Sequence, residues 1–532
     1  MKPNPVPTRR APVLVRLFLA VAAPIALLAA CTAPGGVPGI QIELSSTAIA
    51  VIRGGSGTVD VVLTRSGGAS APVALSATGL PANVAASFSP PSLEGAATTS
   101  VLTLTATAAA TAGTTSVTIT ADGASLTDAA TLTLEVESLS VAGRVEQFIR
   151  LPVVGVAVAS QGETAFTNAE GAFVLDGLSI PYDLTLSTAS GSGAVQVFEG
   201  LTTASPVLKP AFAFTLGVPT TMTAAISGDV LGGAAVGADR TVAVCAEGLD
   251  RVVIGCDYVG AGGTAYLFDA DWFGPTSTNV RIHALHIETA PDATPSAFLG
   301  YETFDLSLSD GVAQVRDLAL APVGTQVVEG SLETAVGMTF TSGLASVRFG
   351  PNLSMLVMQS GSIAGDVALL MPTIAGATYD FMAAADGPDG PSFAWTVDHT
   401  GDFGTLHVPR PVAQGAPAAA ATGVDLTTPF TSTDGDQVRT YFATGSGPAL
   451  AITTNRAAVT LPDPALGGFA FPAGASYNWA VLGHGVADPD AALSRSFLDY
   501  FTLLILGLSG GPGFDASGVF TIGTERTFTF AP

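Results

Sequence analysis

"TTSVLTLTATAAATAGTTSVTITADG", Thr98 to Gly123, reads as two strands and the turn between them. Leu102, Leu104 and Ala106 alternate with threonines, and Val117, Ile119 and Ala121 alternate with Thr118, Thr120 and Asp122. A period of two places one set on a buried face and the other in solvent, a pattern that suits a strand and not a helix. The same alternation extends from Ile40 to Glu137, as in "ATLTLEV" at Ala130 to Val136, with Gly, Pro and Asn clusters between the runs. Short alternating strands separated by turn residues predict a β-sandwich.

The whole chain fits that class. Its 532 residues are 48% hydrophobic and only 12% charged, with 61 Gly and 35 Pro. This is too apolar for a disordered chain and too punctuated for one large helical domain. We therefore expect an all-β protein, a tandem array of β-sandwich modules. The net charge of −24 opposes binding to nucleic acid or anionic headgroups and favours solubility. Lys2 and Lys209 are the only lysines, and neither is followed by the Ser or Thr of a phosphate-binding loop.

The N-terminus is of another kind. Lys2, Arg9, Arg10 and Arg16 precede an apolar run, Leu17 to Leu28, and the small residues Ala29 and Ala30 precede Cys31. Positive, apolar and small in that order is an export signal, and the run is too short to span a bilayer comfortably. Leu28-Ala29-Ala30-Cys31 resembles the lipobox of bacterial lipoproteins. That resemblance implies cleavage before Cys31, lipid on its sulfur and acylation of the new N-terminus, and two or more chains anchor a protein stably. Residues 1–30 are then the signal peptide and 31–39 a tether. Thr32 after the cysteine favours the outer membrane under the sorting rule of some Gram-negative bacteria.

Two cysteines remain, Cys245 and Cys256, in "VAVCAEGLDRVVIGC". An even pair in an exported chain reads as a disulfide, across a hairpin whose turn is Gly248 to Arg251. Two buried thiols or a metal pair are the alternatives, the latter lacking the second ligand pair of a zinc site.

Within 40–137, "GLPANVAASFSPPSL" (Gly79–Leu93) and the opening stretch resemble immunoglobulin-like modules of bacterial surface proteins. The segment from Leu139 to Phe214 begins "VAGRVEQFIRLPVVGVAVASQGETAFTNAEGAFVLDGL". Its tight turn at Asn168-Ala169-Glu170-Gly171 calls for a positive φ at Gly171. Gly143, Pro152, Gly155-Val156, Thr167, Glu170-Gly171, Phe173 and Gly177-Leu178 resemble the carboxypeptidase regulatory-like domain, which implies a transthyretin-like sandwich of the carbohydrate-binding-like class. No zinc-peptidase motif accompanies it, so the resemblance brings no peptidase activity. "ISGDV" (Ile226–Val230) and "VEGSL" (Val328–Leu332) echo "VAGRV" (Val141–Val145), predicting further sandwiches over 220–323 and 325–411. Residues 412–423, rich in Ala, Pro and Gly, read as a linker. The order of strands in 424–532 resembles a fibronectin type III-like sandwich, with Trp479 as a core anchor. Phe497 to Leu508, "FLDYFTLLILGL", breaks the alternation and reads as a buried helix or packed loop, with Asp488-Pro489 as a helix start before it.

No converging catalytic set emerges. Gly507-Leu508-Ser509-Gly510-Gly511 has the spelling of a nucleophile elbow, but Pro512 and Gly513 follow it and all five histidines precede it. His283 and His286 would share a face on a helix, yet on the strand expected there they point apart. Asp398-His399 and His407 fall in an expected hairpin. Paired acids such as Asp269/Asp271, Asp386/Asp389, Asp434/Asp436 and Asp488/Asp490 lack the ligand series of a calcium loop and read as turns. No metal and no cofactor is expected. Trp272 beside acids, with Tyr258, could stack on a sugar ring, or pack in a core. The sequence thus predicts a non-enzymatic, exported, lipid-anchored protein at the outer membrane or cell surface, with structural, scaffolding or adhesive contacts to envelope or surface proteins. The alternative is a carbohydrate-binding lipoprotein that meets glycans through Trp272 or the regulatory-like module.

Overall fold

The computed structural model describes residues 37–147, 150–188, 193–211, 221–291, 294–360, 364–433, 437–469, 474–493 and 517–531. The expected signal peptide (residues 1–30), Cys31, Asp434, Asp436, the run Phe497 to Leu508 and Ser509 lie outside them. The protein is all-β, a tandem array of β-sandwiches.

Residues 39–137 form a sandwich of two sheets. One is ordered Gly39–Leu44, Ser56–Ser66, Thr99–Ala106, Val84–Ser89, and the other Ala48–Ile52, Leu126–Glu137, Gly113–Gly123, Val73–Thr78, Ser92–Leu93. The alternation seen in the sequence sets the faces. Leu102, Leu104, Val117 and Ile119 are fully buried in a common core with Val61, Leu63, Leu132 and Leu134, while Thr118 and Asp122 remain exposed. Each such aliphatic side chain stabilises by about 1.5–3 kcal/mol on burial.

The second sandwich follows directly. Strand Leu139–Gln147 pairs with Ala172–Leu178, and the expected turn is present between them: Asn168 Oδ1 accepts from the amides of Glu170 and Ala172. Gly171 has φ +70°, as a side chain there would resist. Its other sheet holds Glu163–Phe166, Ala157–Ser160, Tyr182–Thr188 and Ala194–Leu201. The first two sandwiches touch through the Ile180 amide, which donates to the Arg53 carbonyl at 2.8 Å.

That second sheet does not end where the sandwich does. Strand Ala194–Leu201 runs parallel to Ala449–Thr454, in register from Ala194 opposite Ala449 to Phe198 opposite Thr453. The sheet continues through Arg439–Gly445, Ser476–Gly483, Gly518–Ile522, Gly390–His399, Thr378–Gly387 and Thr339–Gly350 to Leu353–Ser360. With Ala421–Val424 and Arg526–Phe530 it has 14 strands. The last region in sequence therefore lies between the second and the fourth in space. Val195 and Val197 of the joining strand pack with Tyr441 and Trp479, whereas Ala194 and Phe198 turn to the second sandwich's own core.

The region from Thr221 has two four-stranded sheets. The sheet of Cys256–Val259, Arg240–Gly248, Ser277–Thr289 and Pro295–Ser309 is covered on both faces. Val242, Val244, Ile282 and Ala284 enter its own core, and Ala243, Cys245, Leu285 and Ile287 enter the core of residues 328–408. The smaller sheet of Gly324–Thr334, Gly365–Thr373 and Gly404–Val408 closes that fourth core.

Two expectations are corrected. Residues 412–423 are not a linker: Ala413–Gln414 pairs with Ser432 and Thr433, Ala421–Val424 runs parallel to the last strand, and Val412 is buried. Alanine and proline here suit short edge strands as well as a tether. Nor do residues 395–408, with Asp398, His399 and His407, form the expected hairpin, because Gly390–His399 and Gly404–Val408 belong to different sheets. Asp488 does cap a helical turn at Pro489–Ala492, accepting from the Asp490 amide at 3.0 Å.

Candidate functional site

Of the residues singled out for chemistry, Cys245, Cys256, Tyr258 and His283 lie at the contact of the third and fourth regions, and Trp272 and His286 on the third region's own core. Cys245 and Cys256 lie directly opposite each other in an antiparallel pair and form a disulfide. The turn between them is more than a hairpin loop, since Val253–Ile254 crosses to pair with Trp272 and Asp271 in the other sheet. Cys245 is fully buried among side chains of the fourth region.

Trp272 is not a sugar platform. On strand Ala265–Phe273, Phe268, Ala270 and Trp272 point inward and Asp269 outward. Trp272 has no exposed surface, and its indole N–H donates to the Pro275 carbonyl at 2.8 Å. Period two, which places neighbours on opposite faces, separates the ring from the acids that flank it. Tyr258 packs against the shared core; its buried hydroxyl has no hydrogen-bond partner among the described residues, and burial pushes its pKa up to about 12. A ring so placed does not face a ligand in solvent.

His283 and His286 lie on strand Ser277–Thr289 as expected, and both are buried. Their faces differ: His286 sits opposite Val242 on the third region's own core, and His283 looks toward the fourth region. There His283 Nε2 is 3.1 Å from Glu247 Oε2, and Nδ1 is 2.8 Å from the Tyr301 hydroxyl. A carboxylate only accepts, so Nε2 carries the hydrogen and Nδ1 accepts from the phenol. The imidazole stacks on Phe349 with ring centroids 4.0 Å apart. Beside it, a β-carbon on Gly350 would lie 1.9 Å from Glu247 Oε1, so a side chain there would push the carboxylate aside.

Carboxylate, imidazole and hydroxyl in series is the order that activates a nucleophile. Here burial raises the Tyr301 pKa, which is the reverse of activation, and lowers that of His283 against the pull of Glu247. The imidazole, 3% exposed, is closed over by Phe349. The set is therefore a structural network on one sheet of the third region, and the stack on Phe349 makes its contact with the fourth. Asn352 strengthens it, donating to the Gly248 carbonyl at 2.8 Å and accepting from Arg150 of the second region at 3.1 Å. Sequence reading missed Glu247, Tyr301, Phe349 and Gly350; the usable signal was an acid inside the apolar run "VAVCAEG", two residues from Cys245 and thus on its face.

Two other places bring polar side chains together. An open groove of about 490 Å³ is bordered by Glu329, Asp366 and Asp402, but Asp402 is engaged with the Glu329 amide at 2.8 Å. Among the described residues, no three His, Cys, Asp or Glu are grouped to hold a metal. A buried polar row, Gln196, Thr453, Thr440 and His484, crosses the joining strands with contacts of 3.2, 2.8 and 2.8 Å and fixes their register. No described helix is long and apolar enough to cross a membrane.

No protein-family model matches the chain, and no curated protein matches it. Among solved structures, domains 5 and 6 of the S-layer protein SbsC are 12% identical, covering 52% of this chain and 100% of that one, with a TM-score of 0.15. An I-band fragment of titin is 9% identical over 70% of this chain and 98% of its own, TM-score 0.15. The ICAM-5 ectodomain fragment is 9% identical over 92% and 99%, TM-score 0.13. Superposition at this level carries no argument, and the all-β assignment rests on the strands themselves.

Proposed function

We propose that this is a non-enzymatic scaffold of the bacterial envelope, exported and held to a membrane by lipid on Cys31, whose β-sandwiches make structural or adhesive contacts. The observation that carries the scaffold reading is the continuous sheet that joins three regions and fixes their relative positions. Strands paired across region boundaries resist bending in a way that flexible tethers do not. The lipid anchor rests on Leu28-Ala29-Ala30-Cys31, and outward display at the outer membrane or cell surface is part of the same reading. With Trp272 buried, no residue in the site favours the glycan alternative.

The test is fractionation of cells expressing the full-length protein and its Cys31→Ser variant, with protease added to intact cells. The proposal expects the wild type in the membrane pool, sensitive to external protease, and the variant released. Membrane retention of the variant would remove the lipid anchor from the account, and complete protection of the wild type would remove outward display.

A further inference from the structure

The buried polar row that crosses the joining strands holds two groups that can react with each other. We propose that Gln196 and Thr453 form an intramolecular ester, a covalent bond between the second sandwich and the last region, made once per molecule by the residues around it.

The geometry supplies the parts. Gln196 on Ala194–Leu201 and Thr453 on Ala449–Thr454 belong to neighbouring parallel strands, and Gln196 Nε2 donates to the Thr453 hydroxyl at 3.2 Å. The Ala211 amide donates to Gln196 Oε1 at 2.8 Å, which assigns the oxygen and nitrogen of the carboxamide. The same amide is the donor that an oxyanion on Oε1 needs. Thr440 lies directly opposite Thr453 in the antiparallel pair, their hydroxyls 2.8 Å apart, and Thr440 Oγ1 is 2.8 Å from His484 Nε2. With that nitrogen as acceptor, each hydroxyl hands its proton toward the imidazole. Threonine alone is a weak nucleophile, and a base reached through a second hydroxyl activates it. None of the four residues is more than 5% exposed, so water does not compete with Thr453.

The step balances within the chain. The carboxamide turns about its terminal torsion, which is a broad one, to present its carbon. As Thr453 gives its proton along Thr440 to His484, its oxygen bonds to Gln196 Cδ, and the carbonyl electron pair moves to Oε1 beside the Ala211 amide. Collapse breaks the bond from Cδ to Nε2. The proton returns from His484 through Thr440 to that nitrogen, which leaves as ammonia. Amide and alcohol become ester and ammonia, and nothing is oxidised or reduced. An amide is a sluggish electrophile, but a single turnover between groups held in place has no rate to sustain, and escape of ammonia drives it forward.

Peptide mapping of the full-length protein tests this. Trypsin leaves Gln196 in the peptide from Leu151 to Arg240, since Pro210 protects Lys209, and Thr453 in the peptide from Thr440 to Arg456. The expected product is the two joined, lighter than their sum by one ammonia, with fragmentation placing the bond at Gln196 and Thr453 and hydroxylamine separating them. Thr453→Val, close in shape but without the hydroxyl, should give separate peptides of full mass, and Thr453→Ser should restore the joined pair. His484→Gln should also give separate peptides while unfolding at the same temperature as Thr453→Val, which distinguishes proton transfer from support of the fold. Separate peptides of full mass from the wild type would overturn the proposal, as would a joined pair that persists in Thr453→Val or resists hydroxylamine as an amide does. Should Thr453→Val fail to fold, fragmentation and hydroxylamine cleavage of the wild-type product decide.

Discussion

The first sandwich and the third differ in how many of their faces are dry. In residues 39–137 the long strands alternate buried and exposed, as in Ser56–Ser66, so each sheet has one core face and one wet face. In the third region, seven consecutive residues of Arg240–Gly248 and six of Ser277–Thr289 are buried, because one face packs on its own sandwich and the other on the fourth. Strands covered on both faces lose the period-two signal and become apolar runs. A sandwich that keeps clean alternation packs on itself, and one that loses it has a neighbour.

That contrast can be broken by mutation, beginning with the core of the joined sheet. Trp479 is fully buried and meets Phe430 edge to face at 5.1 Å. Trp479→Ala should cost about 3–5 kcal/mol. Thermal unfolding followed by limited proteolysis should show early cleavage from residue 139 onward, with residues 39–137 surviving. Early cleavage confined to 424–531 would mean that the shared sheet does not couple its regions.

The disulfide comes next. Replacing Cys245 and Cys256 with serine should cost about 2–3 kcal/mol, since the bridge closes a short loop with a sequence separation of 11. Denaturant unfolding with and without reductant measures it, and reductant should not affect the double variant.

Gly350→Ala sharpens the comparison at the contact of the third and fourth regions. The added carbon would meet the Glu247 carboxylate, so the loss should be about 1–3 kcal/mol. Denaturation midpoints measure it, and an unchanged midpoint would show that the close approach does not hold the contact. The smallest effect belongs to Arg281 and Asp305, an exposed pair in which the Arg281 hydrogen bond holds the Asp305 carboxyl below its usual range. Asp305→Asn should cost less than about 1 kcal/mol, and the difference in denaturation midpoint should shrink in high salt.

Much of this was legible in the sequence, and the remainder was hidden for identifiable reasons. The Thr98 to Gly123 strands, the Asn168 turn and the Cys245–Cys256 pair are local, and local chemistry determines them. The parallel pairing of Ala194–Leu201 with Ala449–Thr454 is not local, because it joins distant segments through backbone groups that every residue carries. The double burial had a sequence trace in runs such as "FMAAAD" at Phe381 to Asp386, where small residues let layers approach on both sides. Trp272 was left between a sugar platform and a core residue because of its acidic neighbours, although alternation alone places it on the opposite face from Asp271. The composition of 412–423 suggested a tether, but its backbone hydrogen bonds place it in the last sandwich.

Calorimetry of the soluble chain beginning after Cys31 tests the central claim most directly. The account predicts that residues 139–531 unfold in a single cooperative transition, separate from that of the first sandwich, because one sheet and shared cores link them. Independent transitions for the second, third, fourth and last regions would contradict it and return the molecule to separate beads on a string.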